Sequence, residues 1–386
     1  MKKAYNETWV DNIDNQDIIR EWYDEKVLSK EQYVEAQKLF PVEFYQPNIF
    51  IEFGLFIFTN LAISATFGFL AVTLLSSLIE TSIGLGVVSV IYGVSLVFLL
   101  EYFIRTRKLY RSGTDNAFLY VAIGSFLTAV FAFTDFKLSL YSYYFVSLLI
   151  FIPFLLRYGD PFVGIAIFVV WICFWFTLTI EWPIGKLIVP FVIMGASVIS
   201  YVFANWWKKK DNSCYYTDAQ ICIETGSLIT FYLGGNYMVV REGNALLNGL
   251  TDSSQISFAS LFYLFTVIIP FVYLFFGLKN QDRKMVMVGL AAFGFSIFTY
   301  RYYFSVMPLE WALTLGGAAL VGFSVWGIWF LRTPKWGLTY QQTQTSKYRD
   351  FEAFLVSQAL PHQGGQGGKM KFGGGDFGGG GSGDKY

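Results

Sequence analysis

Residues 83–104, IGLGVVSVIYGVSLVFLLEYFI, hold a single charged side chain, Glu101, in one unbroken apolar run. A helix rises about 1.5 Å per residue, so some 20 apolar residues match the roughly 30 Å hydrocarbon core of a bilayer. Segments of the same kind follow one another across residues 48–331 with short polar breaks. They predict spans at 49–75, 83–104, 117–134, 138–156, 162–179, 187–204, 221–240, 257–278, 285–300 and 309–331. Such runs lack the alternation of barrel strands, and a backbone in lipid must satisfy its own hydrogen bonds, so helices are expected. The fold class that follows is an all-α, polytopic integral membrane protein of about ten transmembrane helices.

The totals agree: 54% of the 386 residues are hydrophobic and only 15% are charged. Twenty-eight basic residues balance twenty-eight acidic ones, which leaves no global field to gather nucleic acid. The partner expected first is the lipid bilayer. Cys173, Cys214 and Cys222 show no CxxC spacing and read as packing residues rather than a disulfide framework. The sole histidine, His362, lies in the glycine-rich tail. That position excludes bis-histidine haem ligation, a histidine-rich zinc site and a Ser-His-Asp triad within the membrane. No catalytic residue, metal or cofactor is expected.

Working outward, residues 1–47 form a head in which Met1, Lys2 and Lys3 lead into Asn6, Glu7, Asp11 and Asp14 with no apolar signal core. Asn15 is expected to cap a helix over 16–26 that carries Ile18, Ile19, Trp22 and Tyr23 on one face. Ser29 with Gln32 reads as a capping box for a second helix ending before Pro41. A hairpin this small cannot bury its apolar face alone, so it is expected to pack on the membrane domain, on lipid or on a protein partner. Residues 332–362 read as a polar and amphipathic segment. Residues 363–386 are glycine-rich and expected to be disordered. Eleven Lys and Arg residues in the alternate loops on the head side face four on the other side, so the positive-inside rule sets head and tail in the cytoplasm.

Polar groups at membrane depth are the candidate functional residues. The seventh span, ICIETGSLITFYLGGNYMVV, carries Glu224, Ser227, Thr230 and Asn236, with Gly234 and Gly235 just before the asparagine. One reading is a broken helix lining a solute or ion path, with Glu224 as a proton or cation site near the inner mouth and Asn236 further out. The other is close helix packing at the glycines, with Glu224 reaching to the inner interface. Arg301 and Glu310 could pair at an outer entrance, and Glu101 with Arg105 at the inner surface. Glu52 and Asn60 are polar singletons in the first span. The clustered Trp171, Phe174, Trp175 and Phe176 suit lipid contact or packing and call for no pigment.

The head pattern IIREWYDEKVLSKEQYVEAQKLF and the run YRYYFSVMPLEWALTLGGAALVGFSVWG at residues 300–327 resemble predicted bacterial membrane proteins of a domain-of-unknown-function family. The chain departs from that pattern where the first span lacks a terminal Asn-Trp, and at Trp311, where a lysine is usual. The resemblance implies a bacterial inner-membrane protein and carries over no activity or site residue. The leading expectation is a permease- or channel-like protein for a small solute. The competing one is a non-catalytic scaffold or envelope sensor acting through head and tail.

Overall fold

The computed structural model describes residues 3–210 and 214–304, together with isolated helical positions between 311 and 329. Glu310, the amphipathic segment and the glycine-rich tail lie outside the described residues, and the tenth expected span is described only at those isolated positions. Among the described residues the regular structure is helical, apart from one isolated bridge between Tyr45 and Leu109. The head comprises α1 (Glu7–Asp24) and α2 (Lys30–Leu39). Then come α3 (Ile49–Thr73), the single turn α4 (Ser76–Ile79), α5 (Ser82–Arg107), α6 (Thr114–Phe133), α7 (Leu140–Tyr158), α8 (Pro161–Ile180) and α9 (Gly185–Lys210). A 3-10 turn at Cys214–Tyr216 leads into α10 (Thr217–Gly235), α11 (Tyr237–Leu247), α12 (Ala259–Lys279) and α13 (Arg283–Tyr303).

Eight of these helices (α3, α5 to α9, α12 and α13) are long and apolar enough to cross a membrane. They coincide with eight of the ten expected spans. The seventh expected span instead falls across α10 and α11 and is interrupted at Asn236. Large apolar side chains such as Phe50, Phe58, Val72 and Phe98 point outward and lie mostly exposed, a surface that a lipid environment covers and water does not favour.

Consecutive helices pair off, α5 with α6, α7 with α8, α9 with α10 and α12 with α13. Helix α10 also touches α8, α12 and α13, so neighbouring helices surround it. This explains how a helix with the sequence TDAQICIETGSLITFYLGG is tolerated: its polar side chains meet protein instead of hydrocarbon. Helix α3 is peripheral, with Ile63 its one buried side chain. Its first turn sits against the start of α6 at Gly113, where φ is +86° and an added Cβ would lie 2.0 Å from the Glu52 carbonyl oxygen.

The head differs from expectation at its start. Helix α1 begins at Glu7 rather than after Asn15, because the Asn6 carboxamide accepts from the amides of Thr8 and Trp9 and supplies the cap. Asn15 lies inside the helix. The Ser29–Gln32 capping box forms as expected. Ile18 and Trp22 remain largely exposed, whereas Ile19, Val10 and Tyr5 are buried. Tyr5 and Val10 join a core with Leu96, Leu100, Leu119 and Leu155 of the membrane domain, so part of the head packs on the membrane helices. Asn12 and Gln16 donate to the carbonyls of Pro41 and Phe40 at 2.9 and 2.6 Å, which fastens the chain after α2 back onto α1.

Candidate functional site

Helix α10 ends where its sequence changes from glycine to asparagine. Gly234 and Gly235 let it approach its neighbours closely: a Cβ on Gly235 would meet Ile269 Cδ1 at 2.7 Å, and one on Gly234 would meet Met194 Cγ at 3.0 Å. The glycines therefore serve contact between helices, as the packing reading expects. The interruption itself belongs to Asn236, which is extended (φ −79°, ψ 126°) and fully buried. Its Oδ1 accepts from the amides of Met238 and Val239 and so caps α11, while Nδ2 donates to the Tyr232 hydroxyl at 2.9 Å and to Thr299 Oγ1 at 3.0 Å. The Tyr237 amide donates to Thr266 Oγ1 at 2.9 Å. The orphan amides of a helix start inside the bundle are thus supplied with acceptors from α10's own cap and from α12.

About three turns earlier on α10, Glu224 is 3% exposed and its Oε2 accepts from the Lys284 ammonium. Its other oxygen, Oε1, is buried without a hydrogen-bond partner among the described residues. The Glu224 carboxyl is turned into the protein, not toward its surface. The counter-charge comes in to meet it, because Lys284 lies at the second position of α13 and its flexible stem extends toward α10. Ser227, one turn on, is buried and donates to the Ile223 carbonyl within the helix. Thr230 lines a cavity. Of the outer pair, Arg301 lies in the last turn of α13, and Glu310 falls outside the described residues.

A second polar cluster, at the head end of the bundle, was not anticipated. Asp115 is 1% exposed and accepts from the Tyr5 hydroxyl (2.8 Å), the amides of Arg111 and Ser112 (2.8 Å each) and Ser112 Oγ (3.0 Å). Burial and the adjacent Asp115 hold the Tyr5 phenol well above its ordinary range, so it remains a donor. The Arg111 guanidinium pairs with Asp218 at the start of α10. Asp160 caps α8 through the Val163 amide at 2.9 Å and accepts from the Tyr120 hydroxyl and Asn116 Nδ2, each at 3.1 Å. Burial pushes the Asp160 carboxyl up, against the Val163 amide, the Tyr120 hydroxyl and the Arg111 charge. Glu101 lies 3.6 Å from Arg105 as expected, but its closer partners are Arg157 Nε at 2.6 Å and the Tyr158 hydroxyl at 3.0 Å.

This cluster joins the head to three helix starts. The Ala4 amide and the Tyr215 hydroxyl both donate to the Arg157 carbonyl, and the Cys214 amide donates to Asp11. Its sequence signal was present in RSGTDN and RYGDP, two short breaks that combine arginine, glycine at positive φ and an aspartate at a helix start. Reading their arginines only as topology markers concealed it. Replacing Tyr5 with Phe removes one hydrogen bond to a buried carboxylate. The expected cost is about 1.5–3 kcal/mol, read as a lower melting temperature in detergent together with faster proteolysis within residues 1–47.

Three recesses matter. One of ≈ 570 Å³ lies among α8, α9, α10, α11 and α12, reached by Thr230, Gly234, Asn244, Ser257 and Lys186. Lys186 donates to the Leu247 carbonyl and to Asn248 Oδ1, tying α9 to the end of α11. A second, of ≈ 710 Å³, lies between α3, α6, α7 and α8 and is polar at its Glu52 and Asn116 end. A third, of ≈ 820 Å³, is almost wholly apolar, bounded by residues such as Phe145, Trp171 and Phe203. Among the described residues no group of three or more His, Cys, Asp or Glu side chains is placed to hold a metal. Comparison of the chain with protein-family models, with curated proteins and with solved structures finds no match.

Proposed function

We propose that this chain is a permease-like protein of a bacterial inner membrane, with the head in the cytoplasm, and that α10 with α11 completes a further, interrupted span. The observation that carries the reading is the alignment of two features on α10. Thr230 and Gly234 border a cavity on the side away from the head, and Glu224, nearer the head, holds a buried charge pair with one carboxylate oxygen free of hydrogen bonds among the described residues. From Glu224 to Thr230 the helix advances about 9 Å. A recess of ≈ 570 Å³ falls within the roughly 300–1,000 Å³ typical of small-molecule sites. In this reading Thr230, Asn244 and Lys186 meet a small polar solute from outside, and the Glu224–Lys284 pair is the inner barrier whose opening couples to its passage. Ionisable groups within a membrane bundle mark such pathways more often than they serve stability alone.

The test is isotope uptake into proteoliposomes holding the full chain, with glycine, glutamate, acetate, glycerol and ribose as probes. Uptake of at least one probe should exceed that of protein-free vesicles by roughly tenfold or more, and the paired substitution E224Q/K284M should abolish it while preserving the fold. Uptake of all five at the protein-free rate would remove the reading. A scaffold or sensing role is favoured by a different observation, the buried Tyr5–Asp115 bond that ties the head to the membrane helices. It predicts a protein partner that cross-links to residues 1–47 and is lost in Y5F.

A further inference from the structure

The recess between α3, α6, α7 and α8 is built differently from the other two. Its wall is apolar, formed by residues including Phe53, Phe56, Ile123, Leu127 and Phe151, and it opens sideways where Phe53 and Phe162 lie largely exposed. At Gly124 an added Cβ would find nothing within 4 Å, so space continues along α6. Between Asn116 and Leu127 the helix advances about 16 Å, close to the thickness of one leaflet, half of the roughly 30 Å hydrocarbon core. Only one end is polar, the end toward the head, where a leaflet's headgroups would lie.

The polar groups at that end are acceptors in excess of donors. Among the described residues Asn116 Oδ1 is buried with no hydrogen-bond partner, although its Nδ2 donates to Tyr120 and Asp160. The Glu52 carboxyl borders the same end and makes no hydrogen bond or ion pair among the described residues. Asp160 stands directly behind Tyr120 and Asn116. Arg111, the cation whose charge is felt by Glu52 and Asp160, gives its guanidinium hydrogen bond to Asp218 instead. A buried amide oxygen left unpaired costs free energy, and an acid at the mouth of an apolar groove disfavours an anionic occupant.

We infer that this groove binds one phospholipid of the head-side leaflet whose headgroup carries a primary ammonium, with its N–H groups donating to Asn116 Oδ1 and Glu52 and one acyl chain lying along α6. A primary ammonium supplies the three donors this end lacks, together with the compensating charge. A quaternary ammonium supplies charge without a donor, and a glycerol headgroup supplies donors on a net anionic lipid. The site is separate from the cavity at Thr230 and does not depend on a transport activity.

The experiment reconstitutes the full chain in nanodiscs of equimolar phosphatidylethanolamine, phosphatidylcholine and phosphatidylglycerol with identical acyl chains. The protein is then extracted into mild detergent and the retained lipids are counted by mass spectrometry. Retention of phosphatidylethanolamine should exceed that of each other lipid by roughly tenfold, the effect of one charge-assisted hydrogen bond. E52Q should lower that preference by a similar factor. G124L, which fills the groove without meeting a neighbouring atom at its Cβ, should remove the retained lipid while leaving the melting temperature of lipid-free protein unchanged. E80Q, on the exposed turn after α4, should change nothing. Equal retention of phosphatidylcholine or phosphatidylglycerol, or full retention in G124L, would overturn the assignment.

Discussion

Replacing Lys284 with methionine is expected to destabilise the membrane domain by about 3 kcal/mol or more, because it leaves the Glu224 carboxylate buried with no counter-charge. Breaking one side of a buried pair typically costs about 3–5 kcal/mol; the lower figure applies because Lys284 keeps a quarter of its side-chain surface exposed while Glu224 keeps almost none. The second substitution decides what the pair is for. If Glu224 is then changed to Gln, the charge is gone and the amide can still accept or donate, so E224Q/K284M should recover most of the lost stability. A pair that served packing alone would leave function intact in that double variant. The coupling role requires the folded double variant to be inactive. Melting temperatures of the four proteins in one detergent, with the uptake assay beside them, separate the two outcomes.

The second large effect is expected at Gly113. This residue sits at φ +86° immediately before α6, and a Cβ there would lie 2.0 Å from the Glu52 carbonyl oxygen and 2.9 Å from the Phe56 nitrogen. Both obstacles are backbone atoms, so no rotamer change can relieve them. Alanine should cost about 2–5 kcal/mol, the sum of roughly 1–2 kcal/mol for the positive φ and 1–3 kcal/mol for overpacking. Because α3 buries little else, the expected relief is movement of its N-terminal half, residues 52–59, away from α6. Cross-linking between cysteines placed at Thr59 and Thr114, whose hydroxyls lie 3.4 Å apart, should therefore fall in G113A. Alanine at Gly124, which has open space around it, is the matched control and should cost less than 1 kcal/mol.

Much of the fold was legible because hydrocarbon length is a coarse constraint. Eight runs of the right length and apolarity became eight long helices, and the capping box at Ser29 formed because its two bonds are local. Asn15 was misread as a cap because nothing in its neighbourhood distinguishes it from Asn6; which of two asparagines starts a helix was decided by Tyr5 and Val10 finding burial in the membrane domain. In the candidate site, the unusual character of α10 was visible in its residues, and the break lies beside the two glycines that drew attention to it. The partner of Glu224 was not visible, since Lys284 is 60 residues away and reads as an interfacial charge. The same holds for Arg111 with Asp218 and for Glu101 with Arg157, contacts set by which helix starts end up adjacent. Local patterns give helices and caps; long-range charge pairing follows from packing that single-residue periodicity does not encode.

The central claim is that α10 carries a solute cavity open to the side opposite the head, and cysteine accessibility tests it most directly. In a background with Cys173, Cys214 and Cys222 replaced by serine, T230C in sealed, oriented vesicles should react with a membrane-impermeant thiol reagent applied from the face away from the head. N236C, whose position is fully enclosed by Tyr232, Thr299 and its own helix cap, should stay unlabelled from either face. Labelling of residue 230 from the head face alone, or no labelling until the protein is denatured, would contradict the account.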